Sequence, residues 1–337
     1  MAEEVEWITS NVDNQSFGDY GPKDDLFHGT GPEGDSLAET WYWGFNVPEA
    51  AINCFVYCKV YVNLGVALAG LFIYRGVKRH HLASELFDVP AFMSSGFVGD
   101  GSDIRVPNGL RIQVVAPLDD IHLTFNDPAR ETEVDVHLKA VAPPIMRANG
   151  KHFEQIMKTG GHIVLRGERH VVDGYNVRDR SWGELRPEGH VHLPPYNWVT
   201  GVTEDGSFAF NVGSHDDPER SPHWSDHFDV PPEKAFKDGW VWDGDQTLRI
   251  VRASKRTERD PETLAPTRHV IDIEDTDGVK RHITGDVVAS VPWGSWHNIQ
   301  SHLGLVRWSM DGRTAWGESQ DVQWNDYVWR YGQAFSE

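Results

Sequence analysis

The chain has 337 residues, a formal net charge of −20 and a hydrophobic fraction of 39%. That length suits two domains or one large one, with enough apolar residues for a sizeable core. The excess of carboxylates argues against a nucleic-acid partner and against an anionic membrane surface, both of which would repel it.

Along the chain, strand signals dominate. ETWYWGFNV, INCFVYCKVYV, VALAGLFIYRGV, GLRIQVVAP, IHLTFND and ETEVDVHLKAVAP follow one another at short spacing. Turn residues separate them, among them Asn63-Leu64-Gly65, Asn108-Gly109 and Asp127-Pro128. Residues 134–141 alternate cleanly, which predicts a strand with one wet face. Cys54 and Cys58 share a strand face about 13 Å apart, too far for a disulfide, so both read as buried thiols in a reducing compartment. The opening MAEEVEW shows no secretory signal, and the apolar run Leu64–Tyr74 is too short for a membrane helix, so a cytoplasmic location without a membrane span is expected.

A second strand-rich block begins near Ile163, with hairpin signals at Glu204-Asp205-Gly206, Thr276-Asp277-Gly278 and Asp311-Gly312. Helical periodicity is scarce: short helices are expected at 232–237 and 152–158. Residues 213–233 lack an apolar period and read as a long loop. The pattern predicts two β domains, 1–150 and 151–337, joined near 152–161, each an antiparallel barrel or sandwich with little helix.

The most informative stretch is GERHVVDGYNVRDRSWGELRP, residues 167–187. Read as a strand, it puts Asp173, Tyr175, Val177 and Asp179 on one face, and Gly174, Asn176 and Arg178 on the other. Arg178 and Asp179 therefore do not pair with each other. Two carboxylates and a phenol on one face suit proton transfer, although about 20 Å separates Asp173 from Asp179 unless the strand bends. The structural alternative is a junction in which Arg and Asp clamp two domains together and Trp182 plugs the interface. Fourteen tryptophans are many for this length. They either fill a β core or line a cavity for a bulky apolar ligand. Trp41, Trp43 and Trp296 are candidates for such a lining, as is His81 in Arg79-His80-His81.

Histidine pairs give a weaker signal. His190 and His192 share a strand face as metal ligands often do, and the run from Pro292 to His297 resembles the second metal motif of cupins. The glutamate that should follow the first pair is missing, so no metal is expected. His215, His223 and His227 lie among aspartates and read as solvated. No nucleophile elbow, Walker motif or dinucleotide fingerprint occurs, so no nucleotide cofactor is expected.

The order of two β-rich blocks, the central D-G-Y-x-x-R-D-x-S-W-G and the closing W-G-E-S-Q of residues 316–320 resemble the hydroxyneurosporene synthase and AttH-like group. That group includes carotenoid 1,2-hydratases, kievitone hydratase and Diels–Alderase-like cyclases. ETWYWGFNVPEAAINC and GVKRHHLASELFD are similar to its bacterial relatives. The resemblance spans residues 39–331 and implies tandem lipocalin-like β-barrels with a hydrophobic, isoprenoid or aromatic, ligand. At one position this chain departs: Arg180 stands where relatives often carry a histidine, so if that histidine carries chemistry elsewhere, this chain either uses another group or does a different reaction.

Hydration of an alkene needs a strong acid in a dry pocket, and a buried carboxyl with a raised pKa can supply the proton. Indole and phenol faces stabilise the cation that follows. The sequence therefore predicts a cofactor-independent hydratase or dehydratase. Asp173 or Asp179 is its acid, Glu318 the next candidate, and Tyr175 orients the substrate. Trp182, Arg178, Trp41, Trp43, His81 and Trp296 contact it. An isomerase or cyclase on a similar substrate, and a non-catalytic lipocalin-like carrier, are the alternatives. A homodimer is compatible with the sequence.

Overall fold

The structure, a computed structural model, describes residues 17–186, 189 and 191–334. These fall into two compact units. One holds residues 17–76 and 82–186, the other residues 77–81 and those from 189 onward. Both are almost entirely β, as the turn-punctuated strand pattern predicts.

The first unit contains β1 (Leu37–Val47), β2 (Ile52–Tyr61), β3 (Val66–Arg75), β4 (Leu86–Asp88), β5 (Met93–Ser94), β6 (Asp103–Arg105), β7 (Arg111–Ala116), β8 (Asp120–Asp127), β9 (Thr132–Ala140), β10 (Ile145–Met146), β11 (His152–Leu165) and β12 (Glu168–Leu185). They form one sheet in the order β4-β3-β2-β1-β12-β11-β9-β8-β7-β6, with β5 on β3 and β10 on β11. The sheet curls over its own core. Ile112, Ile121 and Val134 from one end join the same apolar cluster as Cys54, Val56 and Ile73 from the other. Val134, Val136 and Leu138 point inward on β9 as their alternation predicts. Cys54 and Cys58 are buried free thiols, and burial lifts Cys58 to about 12.

Two expectations need correction here. The expected domain border at 150 falls inside this unit, because β11 and β12 are central strands of its sheet. Residues 152–158 are not a helix but the start of β11, paired to β12 along its length. HFEQIMK alternates faces with period two, and two flanking strands satisfy its backbone.

The second unit is a closed barrel. It runs β13 (Tyr196–Thr203), β14 (Ala209–His215), β15 (Phe236–Trp242), β16 (Thr247–Arg259), β17 (Pro266–Asp275), β18 (Lys280–Trp296), β19 (Ile299–Met310) and β20 (Arg313–Trp324), with β20 pairing back to β13. Short helices α1 (Pro222–Ser225) and α2 (Pro232–Ala235) interrupt the expected loop, and α3 (Asn325–Ala334) follows the barrel. No helix of the described residues is long and apolar enough to cross a membrane. Val199, Phe210, Ile271, Val306 and Trp308 form the apolar core of the barrel. Beside them lies a charged network: Lys255 and Arg259 both bond Asp216, Arg259 bonds Asp321 at 2.8 Å, and Thr257 and Asn197 complete it. Burial alone would raise both aspartates, yet Lys255 and Arg259 hold Asp216, and chiefly Arg259 holds Asp321, below the usual carboxylate range.

His215, expected to be solvated, is buried beneath the carbonyls of Pro194 and Pro195, 3.1 and 3.0 Å from Nδ1. Burial depresses His215 and His269 to about 3 and His302 to about 4. The unfolded chain takes up these protons near the ordinary value of 6.5 and the native barrel does not. Stability is therefore complete above that pH and falls as pH drops through it. Calorimetry across pH should show the thermal midpoint starting to fall below pH ~6.5, and His269→Gln should flatten that fall. An unchanged slope in the variant would assign the acid sensitivity elsewhere.

Candidate functional site

The site grows out of the alternation of β12, which lies between β1 and β11. Even-numbered residues of its centre point one way. Arg178 reaches Asp25 at 2.6 and 3.1 Å and Gln155 at 2.6 Å, and its guanidinium lies 5.1 Å from the Phe153 ring centre. Arg180 bonds Glu39 at 2.5 Å and the Leu26 carbonyl at 2.8 Å, and stacks 3.8 Å from the Trp41 ring. Both arginines are fully buried. Burial raises Asp25 and Glu39, but the arginines and local hydrogen bonds outweigh it and keep both carboxylates below their ordinary values. Trp182 stacks on His28 with ring centres 4.4 Å apart. These contacts all lie within the first unit, where Arg178 and Trp182 tie β12 to its own neighbours.

Odd-numbered residues point the other way. Across the strands, Glu154, Asp179, Tyr42 and Tyr57 stand in one cross-strand row, and His152, Ser181, Thr40 and Lys59 in the next. A third row holds Ile156 and Val177 on one side, and Phe55, Phe72 and Phe87 on the other. Gly44 makes room in that row for the Tyr42 hydroxyl and the Asn176 amide, which would lie 2.1 and 2.4 Å from a Cβ there. The aromatic rings are in contact: Tyr42–Phe55 at 4.5 Å, Phe55–Phe72 at 5.1 Å and Phe72–Phe87 at 5.7 Å. Lys59 is buried against Tyr61, 2.6 Å from its hydroxyl.

Within this face Asp179 is distinctive. Its side chain is half-buried, and among the described residues it has no hydrogen bond or ion pair. Burial raises its carboxyl above the usual value, His152 opposes that shift and Glu154 adds to it. Burial likewise raises the Tyr57 phenol, and the Asp179 charge contributes. An acid without hydrogen bonds to its charged form stays protonated to higher pH. Next to it, His152 contacts the Ser181 hydroxyl at 2.5 Å through Nδ1 and Glu154 at 2.7 Å through Nε2. Arg147 lies 3.4 Å from Glu154.

The structure separates the remaining residues expected at the site. Asp173 is exposed and paired with Lys158 at 2.5 Å, so it is not a desolvated acid. Tyr175 is half-buried beneath the same ammonium, 4.4 Å from its ring centre. Trp41 and Trp43 are buried in the core of the first unit, on the opposite side of β1 from Tyr42. Trp41 therefore backs Arg180 and does not line the face of Asp179. Glu318 is fully buried on β20 in the second unit, opposite Leu305 of β19. His81, stacked on His80 at 4.3 Å, and Trp296 at the end of β18 also belong to that unit. His190 lies outside the described residues. His192 bonds Asp326 at 2.5 Å, and His297 is exposed. Sequence reasoning missed His152 and Glu154, whose i, i+2 spacing marks a shared strand face only once 152–158 is read as a strand.

The sequence profile of the domain of unknown function DUF7064 matches residues 21–327, so the chain belongs to that family. No curated protein matches it. Among solved structures, a protein described as AttH from Nitrosomonas europaea superposes with TM-score 0.60 at 13% identity, covering 91% of this chain and 96% of that one. CghA, solved with Sch210972, superposes with TM-score 0.54 at 9% identity, covering 96% and 98%. Kievitone hydratase from Nectria haematococca gives TM-score 0.48 at 12% identity over 96% and 97%. The AttH-like resemblance carried by the central motif thus holds at the level of the fold.

The two faces of β12 respond to mutation in opposite ways. Ionising Asp179 costs the native state more than the unfolded chain, so it lowers stability as pH rises above the ordinary carboxyl value. Asp179→Asn should keep or raise the thermal midpoint at neutral pH. Asp25→Asn strands a buried guanidinium and should destabilise by about 3–5 kcal/mol. Paired denaturation curves check both, and a large loss in Asp179→Asn would make Asp179 a structural clamp.

Proposed function

We propose that this member of the DUF7064 family is a cofactor-independent hydro-lyase acting on a hydrophobic isoprenoid or aromatic substrate, with Asp179 as the proton donor. The carrying observation is the Asp179 carboxyl itself: raised by burial, without a hydrogen-bonding partner among the described residues, and beside a row of aromatic rings. Carboxyls held above their usual value beside apolar rings cluster where chemistry is done.

In the hydration direction, the Asp179 proton bonds to one alkene carbon and leaves a cation on the other. Tyr42, Phe55 and Phe72 offer π faces that stabilise this charge without forming a bond to it. Water adds to the cationic carbon and loses a proton. Dehydration runs the same steps in reverse: the leaving hydroxyl is protonated and departs as water, and the Asp179 carboxylate takes a proton from the carbon next to the cation. The sequence resemblance to hydratases supports the reaction class, and the aromatic row supports a flat or prenyl-bearing substrate.

The test is a panel of acyclic terpene alcohols and prenylated phenols incubated in isotopically labelled water, with label uptake at the tertiary carbon followed by mass spectrometry. Asp179→Asn should lower uptake by roughly 10²–10⁴-fold while the fold persists. Uptake by wild type should survive dialysis against a chelator. Full uptake by the variant would remove Asp179 as the acid.

A further inference from the structure

A proton donor alone completes half of a hydration, because the attacking water must also lose a proton. Resting on the reading of Asp179 as acid, we infer that Ser181, His152 and Glu154 form the base arm of the same site. Ser181 touches the water, and His152 and Glu154 act through it as positioning residues.

The geometry fixes the direction of transfer. Glu154 can only accept at His152 Nε2, 2.7 Å away, when it is ionised, and Arg147 at 3.4 Å favours that charge. The imidazole then carries its proton on Nε2. Nδ1 is left with a lone pair that accepts from the Ser181 hydroxyl at 2.5 Å. All three residues are buried, so bulk water competes little for these bonds. Ser181 is two residues beyond Asp179 on β12, and Glu154 stands opposite Asp179 on β11. Acid and base arm therefore share one face of the sheet, about 7 Å apart along the strand.

The same three residue types form nucleophilic triads in hydrolases, but the surroundings here differ. Ser181 sits mid-sheet with strands on both sides, and the N–H of the next residue, Trp182, donates to the Lys151 carbonyl at 3.0 Å. No backbone donor at that position is left for an oxyanion. Proton relay is the chemistry that remains.

The step balances as follows. The Asp179 O–H bond breaks and its proton bonds carbon. The water oxygen bonds the cationic carbon, its proton passes to Ser181 Oγ, and the Ser181 proton passes to His152 Nδ1. The product alcohol leaves Asp179 as carboxylate and His152 as imidazolium, and return of one proton from His152 to Asp179 restores the start. Both partners are delivered from the same side, so the addition is syn.

Nitrogen NMR of histidine-labelled protein tests the arm without any substrate. In wild type at neutral pH, His152 should hold its proton on Nε2, and Glu154→Gln should deplete that tautomer. A proton on Nδ1 in wild type would overturn the inference whatever the fate of the Asp179 reading. The labelled-water assay supplies the second readout. His152→Asn should lower uptake by roughly 10²-fold or more and remove the limb of the pH profile that reports an unprotonated base. A purely structural role would shift the thermal midpoint and leave that limb in place, which would also overturn it. Loss of uptake in Asp179→Asn with full uptake in His152→Asn would sink the base arm and spare the acid.

Discussion

Two buried arginines on one face of a central strand set the arrangement of the first unit. Arg178 ends on Asp25 and Arg180 on Glu39, and neither guanidinium reaches solvent. A buried ion pair contributes little net stability compared with apolar packing, but losing one partner leaves a charge with nothing to answer it. The pairs thus fix the side to which even-numbered residues of β12 point. Because side chains alternate, Asp179 and Ser181 are committed to the opposite face. The segment 22–28 is held by the same contacts, through Asp25, the Leu26 carbonyl and His28.

The molecule treats buried charge in two ways. In the barrel of the second unit, Lys255, Arg259, Asp216 and Asp321 neutralise one another, and Asn197, Thr257 and Gln323 supply further bonds. An eight-stranded barrel has an interior that side chains can fill, and here charged and aromatic groups share it. Asp179 in the first unit receives no such support, and its carboxyl rises where Asp216 and Asp321 fall. The same residue type is pushed in opposite directions by the presence or absence of a cation within bonding distance. That contrast separates a structural network from a reactive group.

The aromatic residues also divide by face. Trp41 and Trp43 look into the apolar core with Phe45, whereas Tyr42, Phe55 and Phe72 look toward Asp179. A count of tryptophans therefore points to the core, and the phenyl and phenol rings of β1–β3 form the surface beside the acid.

Local sequence was enough for the all-β class, the two closely spaced blocks of strands, the opposed directions of Arg178 and Asp179, and the central motif that carries the AttH-like resemblance. Each follows from local patterns: turn residues, period-two alternation and the order of residues within one strand. Tertiary structure decided the rest. It placed the unit border beyond β12 because β1, far upstream in the chain, supplies the neighbour that β12 needs. It chose Asp179 over Asp173 because Lys158 on the adjacent strand neutralises one and nothing among the described residues bonds the other. It brought His152 and Glu154 to Ser181 through strand register, and no spacing within the motif encodes that pairing. Strand faces are local in sequence, whereas partners, burial and pKa depend on which strand lies alongside.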